Sequence, residues 1–343
     1  MTTTIQGPAV KPWLSLHIHY TANPNPLLAD CVGPLVRDLV ARGLVERFFF
    51  IRYWVEGPHT RLRLLPSPDA DPEEVLARSR EAIHAFLAVR PAVYEVDDAE
   101  VADMYRSMFL SEYPQEEWDA RYGAEGRMTV QPNNSIMDAV YEPEHDRYGG
   151  VHGLELSEWH FQRSSEVAIS LVARTNMHLR TITFGIATQL MTTMAAVFVG
   201  DRDGVVQFFE GYEDFWARLY VGSDVDWSAR YDLALESMPG RVSERIANVF
   251  ATASVGEASG FLADWLEHCV ELRARVVAAT QDGLITFGQD EQGEPRVVDD
   301  PDQVLKVLLG SYLHMTNNRL GVTPNDESYL AHVIHRSLGS DRG

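Results

Sequence analysis

The chain has 343 residues, 45% of them hydrophobic and 23% charged, with a formal net charge of −21. That length can bury a full core without covalent staples, and two cysteines, Cys31 and Cys269, are too few for a disulfide framework and read as small buried hydrophobes. So acidic a surface repels nucleic acid and anionic membranes, and the opening MTTTIQGPAVKP has no basic stretch followed by an apolar run, so no signal peptide and a cytoplasmic location are expected.

Trp13–Tyr20 (WLSLHIHY) places Leu14, Leu16, Ile18 and Tyr20 on one face, the period of a strand. Pro26–Gly43 carries Leu28, Val32, Leu35, Val36, Leu39 and Val40 at helical spacing, with Gly43 as the stop. Arg47–Trp54 (RFFFIRYW) reads as a strand, Glu56-Gly57-Pro58-His59 as a turn, and Thr60–Leu65 (TRLRLL) as a short paired strand. Asp71-Pro72-Glu73-Glu74 opens a helix to about Val89, with Asp71 as N-cap. A strand near Arg127–Gln131 would complete β-α-β-β-α-β, the ferredoxin-like order.

From Leu154 onward the pattern is helical. Helices are expected over Leu156–Arg174, His178–Phe198, Val205–Tyr220, Ser228–Met238, Val242–Ala253, Gly260–Gln281, Pro301–Met315 and Asn325–Ser337. Gln281–Val298 reads as a hairpin or loop. Thr181–Gly200 carries no formal charge and is long enough to cross a bilayer. Its five threonines, its glutamine and the flanking Arg180 and Asp201 favour a buried core helix instead. Strands first and helices afterwards give an α+β chain. It is expected to be a single domain over 1–343, with a sheet-rich subdomain over 1–135 and a helical subdomain over 151–343.

Three constellations carry potential chemistry. Arg61 and Arg63 are two apart on a strand and share a face, while Leu62 and Leu64 turn inward. Paired guanidiniums suit a carboxylate; a solvated outer face is the plainer alternative. His314 sits in SYLHMTNNRLG, after an apolar helical run, where an imidazole can move protons near neutral pH or simply be satisfied by backbone. Tyr141–Gly150 (YEPEHDRYGG) mixes acids, bases and a glycine pair that marks a turn or a close approach to a ligand. His17-x-His19 has no further ligand at metal spacing, and His332-x-x-His335 reads as solvated on a polar terminal helix, so no metal is expected. Ser164-Ser165 fits either a helix surface or a site. There is no GxGxxG, P-loop or nucleophile elbow.

Taken in order, Trp13–Tyr20, Pro34–Leu44, Phe48–Leu65, Tyr141–Ser165 and Tyr312–Gly321 resemble the lantibiotic dehydratase C-terminal domain family, also called the thiopeptide-type bacteriocin biosynthesis domain. The resemblance covers essentially the whole chain. It implies β-elimination of glutamate from glutamylated Ser or Thr of a precursor peptide, leaving dehydroalanine or dehydrobutyrine. Arg61, Arg63 and His314 would then be the catalytic set, and Arg147, Arg52 and Asn318 would bind substrate. Fused family members usually read Tyr-x-Arg-Glu before RYGG; here Pro143 takes that arginine's place, with Arg106 and Arg163 as nearby substitutes. The implied partners are the precursor peptide, a separate tRNA-dependent glutamylating subunit and a second copy of the chain, with no direct nucleic-acid contact, no membrane and no cofactor. The family also holds thiopeptide pyridine synthases, which join two dehydroalanines by a formal [4+2] cycloaddition and release the leader peptide. A non-catalytic subunit that holds the precursor along a sheet edge is the third reading.

Overall fold

A computed structural model describes residues 13–220, 227–236, 240–289 and 293–339. The N-terminal stretch read for a signal peptide and the last residues of the expected Ser228–Met238 helix lie outside the described residues. The chain divides into two compact units, Met1–Val101 with Thr129–Glu142, and Ala102–Met128 with Pro143–Gly343.

The first unit is built on a sheet. Strand β1 (Leu14–His19) leads into a helix of three parts: α1 (Asn25–Leu27), a π-helical turn (Leu28–Val32) and α2 (Gly33–Ala41). Strands β2 (Val45–Tyr53) and β3 (His59–Pro66) follow, then helix α3 (Pro72–Val89). The Asp71 carboxylate accepts the Glu73 N–H at 3.0 Å, the expected N-cap. Between α3 and the last strand the chain forms α4 (Asp98–Glu112) and α5 (Gln115–Tyr122). Sequence reading assigns no helix to this stretch; most of α4 and all of α5 belong to the second unit, where Tyr105, Phe109 and Trp118 are buried.

The last strand is β4 (Ser135–Ala139), not Arg127–Gln131. The latter runs as coil, with the Gln131 N–H given to the Glu56 carbonyl at 2.9 Å. The turn at Asn133–Asn134, tied by side-chain amides to the Ala92 carbonyl, delays the strand until Ser135. The four strands are antiparallel in the order β2-β3-β1-β4. Leu16, Ile18, Phe48, Phe50, Leu62 and Leu64 share one buried face. Buried residues of the helices, among them Leu27, Val36, Leu39, Val75 and Ile83, complete this core.

The second unit holds α6 (His145–Tyr148), α7 (Gly150–Arg174), α8 (Arg180–Val199), α9 (Arg202–Tyr220), α10 (Trp227–Glu236), α11 (Arg241–Ser254) and α12 (Phe261–Gln281). A hairpin, β5 (Thr286–Gln289) and β6 (Pro295–Val297), precedes α13 (Pro301–Leu320) and α14 (Pro324–Gly339). Helix α8 is the segment long and apolar enough to cross a membrane; 67% of its apolar window is buried, as the core-helix reading expects. It packs against α11, α12 and α13, and a helix apolar on all sides needs that enclosure.

Helix α13 runs five residues beyond the expected end at Met315, so His314, Asn317 and Asn318 all lie within it. It stops at Gly321, which takes a left-handed φ of 82°. The glycine pair after Tyr148 is a turn packed onto protein. Gly149 and Gly150 have φ of 87° and 77°, and a Cβ on Gly150 would lie 2.3 Å from the Thr286 hydroxyl of β5.

Candidate functional site

The helical unit carries an open cavity of about 680 Å³. One wall comes from α9, with Phe208, Tyr212, Phe215 and Trp216; α13 adds Val307, Gly310, Ser311 and His314; Arg147 stands at the edge. The α9 aromatics recur at helical spacing, which turns them to one side of the helix.

His314 is held from behind. Its Nδ1 lies 2.8 Å from Oε1 of Glu327 in the first turn of α14. Glu327 is fully buried, and its Oε2 accepts the Tyr212 hydroxyl and, at 3.2 Å, the Asn317 side-chain amide. Burial and the adjoining carboxylate hold the Tyr212 phenol well above its ordinary pKa, so it remains a donor. A carboxylate only accepts, so Nδ1–H of His314 is the donor in this contact. The ring also packs on Trp216, with centroids 4.7 Å apart. The side chain is 20% exposed, so the imidazole is fixed yet accessible.

Arg147 lines the same cavity and pairs with Glu144 at 3.2 Å. Asn318 is not in the cavity lining; its neighbour Asn317 is the amide in the Glu327 network. A pattern three residues on from His314, plus an acid at the start of the next helix, was the available signal for Asn317 and Glu327.

The sheet unit presents a different assembly. Register aligns Ser15 with Arg63, His17 with Arg61, and His19 with His59, so three histidines and two arginines share one face. Arg61 is stacked on Tyr53, 3.5 Å from the ring centroid, and donates from Nε to His59 Nε2 at 3.1 Å. His59 gives its Nδ1 proton to the Gly57 carbonyl at 2.8 Å. Arg63 is only 4% exposed and donates to the Ser15 hydroxyl. The face is therefore not the solvated one that spacing allowed. Burial, with Arg61 close by, lowers His59 to about 3 and His17 to about 2, so both are neutral. Arg63 Nε, His17 Nε2 and His19 Nδ1 are buried without a hydrogen bond. Arg52 does not join this group. It stands opposite Thr60 in the register, on the other face of the sheet, and its guanidinium donates to Asn25 at 2.7 Å.

Other expectations are corrected. His332 and His335 are buried, not solvated, because α14 packs along α9, where both imidazoles meet Glu213. Ser165 is an interior residue that accepts a hydrogen bond from the fully buried Arg319 at 3.0 Å. Cys31 and Cys269 are buried free thiols; burial pushes Cys31 up to about 11.

An antiparallel sheet unit and a helical unit with an aromatic cavity and a carboxylate-braced histidine make this an α+β protein. The family model described as the lantibiotic biosynthesis dehydratase C-terminus matches residues 13–338, and the chain belongs to that family. Among solved structures, the fold is similar to the pyridine synthase TbtD from thiomuracin biosynthesis, with a TM-score of 0.74 and 18% identity, covering 96% of this chain and 98% of that one. It is similar to TsrL with a TM-score of 0.65 and 18% identity, over 96% and 95% of the two chains. It also resembles the tRNA-dependent lantibiotic dehydratase MibB from Microbispora sp. 107891, with a TM-score of 0.51 and 21% identity, over 99% of this chain and 29% of that one. No curated protein matches.

Proposed function

We propose that this chain is a pyridine synthase of peptide natural-product biosynthesis, joining two dehydroalanines of a precursor peptide by a formal [4+2] cycloaddition and releasing the leader peptide. The observation that carries this reading is the cavity lined by Phe208, Tyr212, Phe215 and Trp216 with His314 braced by Glu327. An aromatic enclosure receives uncharged dehydroalanines and a planar product, whereas a glutamyl leaving group brings carboxylates that need cations. Among the described residues of the lining, the cation Arg147 is paired with Glu144. The higher TM-score to TbtD than to the dehydratase, and Pro143 in place of the elimination arginine, support the same order of preference.

The chemistry asks for proton movement. An amide proton passes from nitrogen to carbonyl oxygen to create the four-atom azadiene. Two carbon–carbon bonds then close the ring, and loss of water and of the leader peptide as its amide gives the pyridine. His314 Nε2 is suited to carry that proton, a role worth about 10²–10⁴ in rate. Glu327 fixes the tautomer and steadies the imidazolium, as the carboxylate of a catalytic triad does. The precursor peptide is the partner, and a glutamylating dehydratase with its eliminating activity supplies the dehydroalanines.

Glutamate elimination is the second reading, and the cationic sheet face of Arg61 and Arg63 favours it, since its unbonded Arg63 Nε and histidine nitrogens suit an anion. The two part on substrate. With a bis-dehydroalanine peptide, the chain is expected to generate a pyridine chromophore and free leader peptide. With a glutamylated peptide it is expected to leave glutamate in place. Release of glutamate with no pyridine formation reverses the assignment.

A further inference from the structure

On the side of α9 next to Tyr212, Glu213 faces α14, where His332 and His335 are three apart and turn to the same side of the helix. His332 Nδ1 lies 3.1 Å from both Glu213 oxygens, and His335 Nε2 lies 2.6 Å from Oε2. All three groups are buried, and their ligand atoms lie within 4.8 Å of one another. Behind them, His332 Nε2 is 3.0 Å from Asp232 Oδ1, and Arg336 holds Asp232 in turn, with its Nε at 2.9 Å.

We propose that Glu213, His332 and His335 form a binding site for a divalent transition-metal ion of the zinc class. The argument is one of convergence. His332 Nδ1, His335 Nε2 and the Glu213 carboxylate meet at one buried point between α9 and α14. With Nε2 of His332 turned to Asp232, Nδ1 is the nitrogen left to a cation. Two histidine nitrogens and a carboxylate are a zinc donor set, with the fourth position left to solvent. An imidazole that ligates through one nitrogen and donates from the other to a carboxylate is the usual outer support of such a site, and Asp232 supplies it. The site was hidden from sequence reading because Glu213 lies more than a hundred residues before the histidines. It departs from the expectation of no metal.

The ion would tie α14 to α9, the two helices that carry Glu327 and the aromatic wall. The test uses the tag-free chain, stripped with chelator and titrated with Co2+ as a spectroscopic probe and with Zn2+ in competition. One equivalent of Co2+ is expected to bind with the visible bands of a four-coordinate site, and Zn2+ to displace it. Zn2+, but not Mg2+, is expected to raise the unfolding midpoint. Asp232→Asn, which removes no ligand, is expected to weaken binding by about 10–100-fold. His335→Gln and Glu213→Gln are expected to abolish the bands, while His314→Gln leaves them unchanged. No binding by the intact chain, or binding that survives both His335→Gln and Glu213→Gln, overturns the proposal. Far-ultraviolet circular dichroism of each metal-free variant separates lost ligands from lost fold, and if a ligand variant unfolds, the Asp232→Asn affinity decides: unchanged affinity overturns the site.

Discussion

At the scale of single residues, Glu327 is the most informative position, because it is fully buried and fixes a histidine that is not. Glu327→Gln keeps the shape and removes the charge. The expected outcome is loss of turnover by about 10²–10⁴ with peptide affinity within a few-fold, read from kcat and KM for pyridine formation. Tyr212→Phe, which takes one donor from the same carboxylate, is expected to cost less. The buried histidines set a pH dependence of stability. Burial lowers His268 to about 3, and burial lowers His59 to the same level, while an unfolded histidine titrates near 6.5. Below 6.5 the unfolded chain binds protons that the folded chain refuses, so stability is present above that pH and is lost on acidification. Each such histidine removes about 1.4 kcal/mol per pH unit below 6.5. Urea midpoints are expected to fall steeply from pH 7 to pH 5, and His268→Gln, which keeps a hydrogen-bonding amide beside His160, to flatten the slope. A slope unchanged by that substitution would show that the His268 shift is not realised.

At the scale of elements, local signals were legible wherever a side chain acts on its own backbone. Asp71 reads as an N-cap from four letters of sequence, and the structure has that hydrogen bond. Asp71→Ala is expected to cost about 1 kcal/mol in urea unfolding. The glycine pair was legible as a turn but not in its purpose, since the neighbour that demands it, Thr286, is far along the chain. Gly150→Ala combines a positive φ with a clash, and is expected to destabilise by about 1–3 kcal/mol, whereas Gly211→Ala, with open space around it, is not. Pairing was the part that spacing could not give. Arg61 and Arg63 share one face, yet the burial of Arg63 follows from strands on both sides, and Arg52 falls on the opposite face by a one-residue alternation. His332 and His335 looked polar because a helix carrying Asp, Glu, His and Arg resembles a solvated one until α9 is laid against it.

At the scale of the whole molecule, 50 acidic residues against 29 basic ones make self-repulsion a general load on the folded state. Raising NaCl from about 50 to about 500 mM shortens the screening length from roughly 14 to roughly 4 Å and is expected to raise the thermal midpoint. A midpoint that falls with salt would point instead to favourable pairs as the dominant electrostatic contribution. The reaction was the least legible feature, because one fold can host different chemistries and the cavity that bears on the choice is assembled from α9 and α13.

Helix α8 also bears on how the chain comes off the ribosome. Its Thr181–Val199 surface is buried largely by α11, α12 and α13, and α13 begins only at Pro301. During synthesis α11 and α12 can cover part of this apolar segment early, but its cover is complete only when α13 is made about a hundred residues later, several seconds on at usual elongation rates. A chain halted before Pro301 is expected to aggregate or remain bound to chaperones, and one carried through α14 to be soluble once released, as centrifugation of stalled translation products would show.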